Sequence, residues 1–243
     1  MLKAILTGHS RGLGAALAAN LLSRGIATLG LSRKTLSSLG QSGDLLSEVE
    51  IDLADDVALR KWLAGQALHQ FIAGADTILL INNAGIVQPI GPSESQDLGL
   101  IAKAVSLNVT APLTLMAALA ALRGKAELRV THISSGAGRK GYAGWNIYCA
   151  TKAALDHHAR AALEDNSAGI RICSLAPGII DTDMQQELRD TAPEKFPLHA
   201  DFVALKNDGV LARPADAAAK MVSYILSDKF GNEPVADIRQ IEI

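Results

Sequence analysis

Tyr148 and Lys152 lie four positions apart in Gly-Trp-Asn-Ile-Tyr-Cys-Ala-Thr-Lys-Ala-Ala-Leu-Asp, residues 144–156. The Ala, Leu and straight-chain residues of this stretch favour a helix, and on a helix that spacing stacks both side chains on one face. A phenol ordinarily titrates near ~10 and exchanges protons poorly at neutral pH. An ammonium within ~4–6 Å favours the phenolate and lowers that value. Bringing it to neutrality takes about 3 units, roughly 4 kcal/mol of differential stabilisation, which a lysine and a second positive charge can supply. The chemistry on offer is proton transfer to or from a substrate. Tyr and Lys at this spacing also occur in ordinary helices, so the pair takes its meaning from the elements that must position it.

Leu2–Leu6 is short, apolar and followed by a breaker, which predicts a buried strand. Thr7-Gly8-His9-Ser10-Arg11-Gly12-Leu13-Gly14 comes next, and Ala15–Leu22 then predicts a helix. Strand, glycine turn and helix together bring backbone N–H groups and a helix N-terminus to a pyrophosphate. Glycines at 8, 12 and 14 let the backbone turn tightly and approach phosphates closely; the alternative is a purely structural loop. A second strand, Ile26–Leu31, ends in Ser32-Arg33-Lys34, where a dinucleotide site meets the adenosine ribose. A carboxylate there would favour a free 2′-hydroxyl. Ser32, Arg33 and Lys34, with Arg11 nearby, favour a 2′-phosphate, hence NADP(H) over NAD(H), at about 1.5–3 kcal/mol per charge-assisted bond. The alternative is that both basic residues are solvated loop charges.

Glu48–Asp52 predicts a third strand, with Asp52 placed to accept from the adenine amino group and Asp55 or Asp56 as the cap of the following helix. Thr77–Ile81 predicts a fourth, ending in the turn Asn82-Asn83-Ala84-Gly85. Leu98–Leu122 reads as one long helix with Asn108 inside it, where asparagine usually faces solvent. Leu128–Ile133 and Ile170–Leu175 predict two more strands, the first followed by Ser134 and Ser135 and the second leading to Pro177 and Gly178. Residues 183–212 are polar and interrupted by Pro193 and Pro197, which suits a mobile segment covering substrate. Pro214 starts a helix to about Ser227, and Val235–Ile243 predicts the last strand. Alternating strands and helices mean an α/β protein: a doubly wound, Rossmann-type, seven-stranded parallel sheet covered on both faces, in a single domain 1–243. Ligands bind beyond the carboxyl ends of such strands, and the singled-out loops all fall there.

The chain has 243 residues, 49% of them hydrophobic, and a net charge of −2, which argues against a nucleic-acid or anionic-membrane surface. Cys149 and Cys173 match no disulfide or metal pattern, and the scattered histidines, His157 and His158 included, form no zinc pair. The apolar start runs straight into the glycine loop, leaving no room for a signal peptide, and the apolar run near Ala111–Leu122 contains Pro112 and is too short to span a bilayer. A soluble cytoplasmic protein without metal is the expectation.

On these motifs the chain resembles the short-chain dehydrogenases/reductases over its whole length. The likeness rests on Thr7 to Gly14, Asp52, Asn-Asn-Ala-Gly at 82–85, Asn108, Ser135, Tyr148-x-x-x-Lys152 and Pro177 to Thr182. The serine lying 13 positions before the tyrosine selects Ser135 over Ser134. The resemblance implies Tyr148 as general acid and Ser135 as the donor that orients a carbonyl. Lys152 would tune Tyr148 and hold the nicotinamide ribose, and Asn108 would fix a water through its main-chain carbonyl. It implies cofactor contacts from Gly8, Ser10, Arg11, Gly12, Leu13, Gly14, Ser32, Arg33, Asp52, Leu53, Asn83, Ala84 and Gly85, then Tyr148, Lys152, Pro177, Gly178, Ile180 and Thr182. Within the family, the segments around Trp145–Ala154, Ala176–Gln186 and Ser134–Lys140 are similar to sepiapterin reductases and bacterial benzil reductases. That narrower likeness implies a dicarbonyl or heterocyclic ketone substrate, met by Trp145, Met184 and Asp237. Asp237 also reads as an ordinary strand-end carboxylate. His9 stands where the family usually has a small residue. A homodimer through helices 98–122 and 146–166, or a tetramer, is expected as in many relatives. The alternatives are a dinucleotide-binding sensor or scaffold without chemistry, and an NAD-linked alcohol dehydrogenase of the same fold.

Overall fold

The computed structural model describes residues 1–36 and 45–242. Seven parallel strands form one sheet in the order β3-β2-β1-β4-β5-β6-β7. They are β1 (Leu2–Thr7), β2 (Ala27–Ser32), β3 (Leu46–Glu50), β4 (Thr77–Asn82), β5 (Glu127–Ile133), β6 (Ile170–Ala176) and β7 (Val235–Asp237). Strand order reverses between β1 and β4, and this switch point opens a crevice at the carboxyl edge of the sheet. This is the Rossmann-type, doubly wound arrangement that the alternation of elements predicts.

The two-residue alternation of each strand builds two cores at once. Ala4 and Leu6 of β1, with Leu79 and Ile81 of β4, face α1 (Gly12–Ser23) and α9 (Pro214–Leu226), where Leu17, Leu21, Met221 and Ile225 meet them. Ile5, Ile78 and Leu80 face the opposite side, onto Leu59 of α2 (Asp56–Leu63) and Leu68 of α3 (Ala67–Ile72). Leu115 and Leu119 of α5 (Ala111–Leu122) and Ala159 of α6 (Asn146–Glu164) complete that layer. Asp55 caps α2 by accepting from the Ala58 amide at 2.9 Å.

Three expectations are corrected, and residues 183–212 show helices that the sequence reading did not assign. The helix predicted over 98–122 is α4 (Leu98–Val105), a five-residue π-turn (Ser106–Thr110) and α5, running without a break. At 25 residues it is long and apolar enough to cross a membrane, unlike the shorter run near Ala111–Leu122, but Ala111, Leu115 and Leu119 are spent on the core. Residues 183–212 contain α7 (Asp183–Arg189) and α8 (His199–Asn207), with Pro193 and Pro197 between them. The last strand stops at Asp237, because Ile238–Gln240 winds into a 3-10 turn capped by the Asp237 carboxylate. β3 ends at Glu50, so Asp52 lies in the turn beyond it.

Candidate active site

A cavity of about 690 Å³ runs along the carboxyl edge of the sheet, from Arg33, Lys34, Asp52 and Leu53 at one end to Tyr148, Met184 and Leu188 at the other. Its floor is the glycine loop. The Gly8 amide donates to Leu31 O at 2.8 Å and Gly8 adopts φ +68, a conformation L side chains resist. A Cβ on Gly14 would stand 1.9 Å from Gly8 O, so the loop closes onto the helix start because that residue is glycine. Asn83 clamps the loop from β4, its Nδ2 donating to Thr7 O and Gly8 O at 3.0 Å, while Thr7 Oγ1 accepts from the Asn83 and Ala84 amides at 2.9 Å. The first turn of α1 has no side-chain cap and no acidic residue, and it opens on the cavity. Free N–H groups at such a terminus suit a diphosphate. The donor set, the glycine approach and the elongated cavity all fit a dinucleotide.

Ser135 leaves β5 in extended conformation, Tyr148 occupies the first turn of α6, and Lys152 follows one turn later; all three line the cavity. Lys152 Nζ donates to Ile133 O at 2.7 Å and lies 5.6 Å from the Tyr148 ring centre. Burial pushes the Lys152 ammonium down to about 8, with the Asp156 carboxylate opposing. The Tyr148 phenol differs from the sequence expectation: burial pushes it up to about 12, against the pull of the Ser135 hydroxyl. Desolvation of the phenolate outweighs that hydrogen bond here.

Asn108 is 1% exposed, contrary to the solvent-facing position expected of a mid-helix asparagine. Its Nδ2 donates to Ile86 O at 2.9 Å and Thr151 Oγ1 at 3.1 Å, and its Oδ1 accepts from Ile86 N at 2.9 Å. Gly85 lies where these parts meet, since a Cβ there would come 3.2 Å from Asn108 Oδ1 and 3.8 Å from Lys152 Nζ.

Pro177, Gly178, Ile180 and Thr182 line the wall opposite the glycine loop, and the Thr182 methyl would be 3.5 Å from a Cβ on Gly12. Trp145 and Met184 line the Tyr148 end, with the Trp145 ring stacked on Phe196 at 5.2 Å and edge-on to Tyr148 at 5.3 Å. Asp237 is not brought to the cavity. Arg239 takes both its oxygens, at 2.9 and 2.6 Å, and holds the carboxyl below its ordinary value, so Asp237 serves as the cap of the last turn. Arg11 lines the cavity but reaches Asp183 at 2.9 Å across its mouth.

Several groups escaped sequence reasoning. Asp156, one turn beyond Lys152, is buried and accepts from Ser134 Oγ at 2.6 Å and Ser174 Oγ at 2.7 Å, with Arg139 Nε 3.3 Å away. Both serines line the cavity, but the Ser134 hydroxyl is spent fastening the end of β5 to α6. His132, kept neutral by burial with a value near 3, bonds Asn82 and His158 at 3.1 Å each behind the site. No sequence motif signals these pairings.

A glycine turn after β1, a ligand cleft at the switch point and hydroxyl groups at its far end define a dinucleotide-binding Rossmann-type protein. The family model described as short chain dehydrogenase matches residues 3–193, and the chain belongs to this family, an oxidoreductase family that binds a nicotinamide dinucleotide. It is 31% identical over 235 residues to the benzil reductase ((S)-benzoin forming) of Bacillus cereus, covering 93% of this chain and 94% of the relative. It is 33% identical over 245 residues to the sepiapterin reductase of Mus musculus, covering 93% and 92%. A solved short-chain dehydrogenase/reductase from Burkholderia vietnamiensis superposes with a TM-score of 0.72 at 48% identity, over 99% of this chain and 98% of that one.

Proposed function

We propose that this protein is an NADPH-dependent carbonyl reductase acting on ketones of the vicinal dicarbonyl or pterin-like type, with Ser135, Tyr148, Lys152 and Asn108 as its working site. The observation that carries the reading is one cavity with Arg33 and Lys34 at one end and two hydroxyls beside a buried ammonium at the other. The reduced dinucleotide, when bound, supplies the hydride. Ser135 Oγ and Tyr148 Oη donate to the ketone oxygen as negative charge grows there. Tyr148 gives up its proton, leaving an alcohol and a phenolate that the Lys152 ammonium stabilises. Asn108 keeps the π-turn open beside Lys152, where the turn's main-chain carbonyl can hold a relay water. Trp145, Met184 and Leu188 close the substrate end with apolar surface, the Trp145 ring backed by Phe196, which suits an aryl or fused-ring ketone. The benzil and sepiapterin reductase relatives support this substrate class.

The chain is read as one catalytic domain, with α7 and α8 covering the substrate. Leu98, 81% exposed, together with Val105, Leu122 and Leu163, places apolar surface on α4, α5 and α6, which supports a homodimer. The free thiols of Cys149 and Cys173 fit a reducing, cytoplasmic setting.

The test is oxidation of NADPH and of NADH with benzil and with sepiapterin. Turnover with NADPH is expected, and a fall in kcat of about 10²- to 10⁴-fold in Tyr148→Phe, which keeps the ring and removes the donor. Tighter binding of NADH overturns the cofactor assignment, and near wild-type turnover in Tyr148→Phe overturns the catalytic one.

A further inference from the structure

His9 is an imidazole buried inside the glycine loop, and nothing in the chemistry above uses it. Its place is set by a gap in the sheet. Gly30 of β2 pairs in register with Leu6 on one side and Glu48 on the other, and it presents no side chain. The His9 ring fills that vacancy: a Cβ on Gly30 would stand 2.5 Å from ring atoms. From there Nε2 reaches Glu48 Oε1 at 2.6 Å. The same carboxylate oxygen accepts from the Leu36 amide, also at 2.6 Å. Between these anchors lie Ser32, Arg33 and Lys34, with Ser32 Oγ bonded to Lys34 O and Ser32 O accepting from Ile51 N. Both ends of the short basic segment are therefore tied, one to β3 and one, through Glu48, to the loop that faces the diphosphate.

We propose that His9 and Glu48 form a brace that sets the position of the Ser32–Leu36 segment, making His9 a positioning residue for recognition of the 2′-phosphate on the adenosine ribose. This rests on the reading of Arg33 and Lys34 as the 2′-phosphate site. Neither His9 nor Glu48 is among the residues that line the cavity. The brace acts on the backbone that carries two exposed cations, holding it where a phosphate dianion meets them. It joins glycine loop and specificity segment through one carboxylate oxygen, so the two ends of the adenosine site move together.

The experiment is direct binding of NADPH and NADH, followed by dinucleotide fluorescence, to wild type, His9→Ala, Glu48→Ala and the double variant. His9→Ala is expected to weaken NADPH about tenfold more than NADH, the worth of one displaced charge-assisted contact. Glu48→Ala, at a partly exposed position, is expected to do the same and carries the test if His9→Ala does not fold. The double variant is expected to lose no more selectivity than either single one, and His9→Gln, which can still donate to Glu48, to recover part of it. Equal weakening of both dinucleotides, or no weakening of either, overturns the brace, since a merely structural residue moves the two affinities together. A wild type that favours NADH overturns the 2′-phosphate reading instead, and the change in the NADPH:NADH ratio between variants still decides the brace.

Discussion

Lys152 is a cation held in a dry place, its Nζ donating to Ile133 O and its ordinary value of 10.5 reduced to about 8. Two consequences follow from that single number. In the proposed reaction the ammonium must be present to stabilise the phenolate, whereas Tyr148, at about 12, keeps its proton throughout the neutral range. kcat/KM for reduction should therefore fall above about pH 8, and Lys152→Arg, which retains charge, should move that alkaline limb upward. The sign for stability is opposite. Between about 8 and 10.5 the unfolded chain holds a proton on this lysine that the folded chain has lost, so stability rises with pH across that window. Lys152→Met should abolish turnover while raising Tm at pH 7 by a few degrees, the equivalent of about 1–2 kcal/mol; an unchanged or lower Tm would show that the buried charge costs the fold nothing. The spacing of Tyr148 and Lys152 was readable in the sequence because helical periodicity is local. Asp156 and His9 were not, because their partners Ser174 and Glu48 arrive from other strands and only tertiary structure brings them together.

The helix from Leu98 to Leu122 serves two masters, and the π-turn at Ser106–Thr110 is where they part. A π-turn inserts an extra residue into the helical path and so shifts the face that follows. Asn108 holds it open by exchanging both hydrogen bonds with the Ile86 backbone. Asn108→Leu keeps the volume and leaves Ile86 N–H and C=O without these partners, at about 1–3 kcal/mol each. A drop in Tm of roughly 5–15 °C is expected in thermal unfolding, and Asn108→Asp, which still accepts from Ile86 N, should lose less. The helix was legible from its composition and the π-turn was not, since one inserted residue leaves no period to detect. The same limit applies to residues 183–212, read as a covering segment interrupted by two prolines with no helix assigned. The prolines mark the junction between α7 and α8, each helix being short enough to fit beside them. β7 was overrun because Ile238 and Ile241 continue an apolar pattern that the Asp237–Arg239 pairing turns into a 3-10 cap.

At the level of the whole molecule, Leu98, Leu100, Val105, Leu122 and Leu163 expose apolar surface on α4, α5 and α6, the layer that also carries Asn108, Tyr148 and Lys152, while Met1, Val57 and Val210 are exposed elsewhere. Burying Leu98, Val105, Leu122 and Leu163 against a second copy would stabilise the layer that holds the site. Light scattering at micromolar concentration should report a dimer or a tetramer, and Leu98→Glu combined with Val105→Glu should release monomers; a wild-type monomer refutes the association. The fold itself was legible because each strand–helix repeat declared itself in turn, and the parallel order follows from that alternation. One last property comes from how far apart in the chain the cavity walls lie. Lining residues run from Gly8 to Leu188, and Thr182 stands across from Gly12. On the ribosome, a chain halted short of residue 182 has made its diphosphate loop without the surface that faces it. Newborn protein thus acquires a complete cofactor cleft only once both ends of that long span have emerged and met.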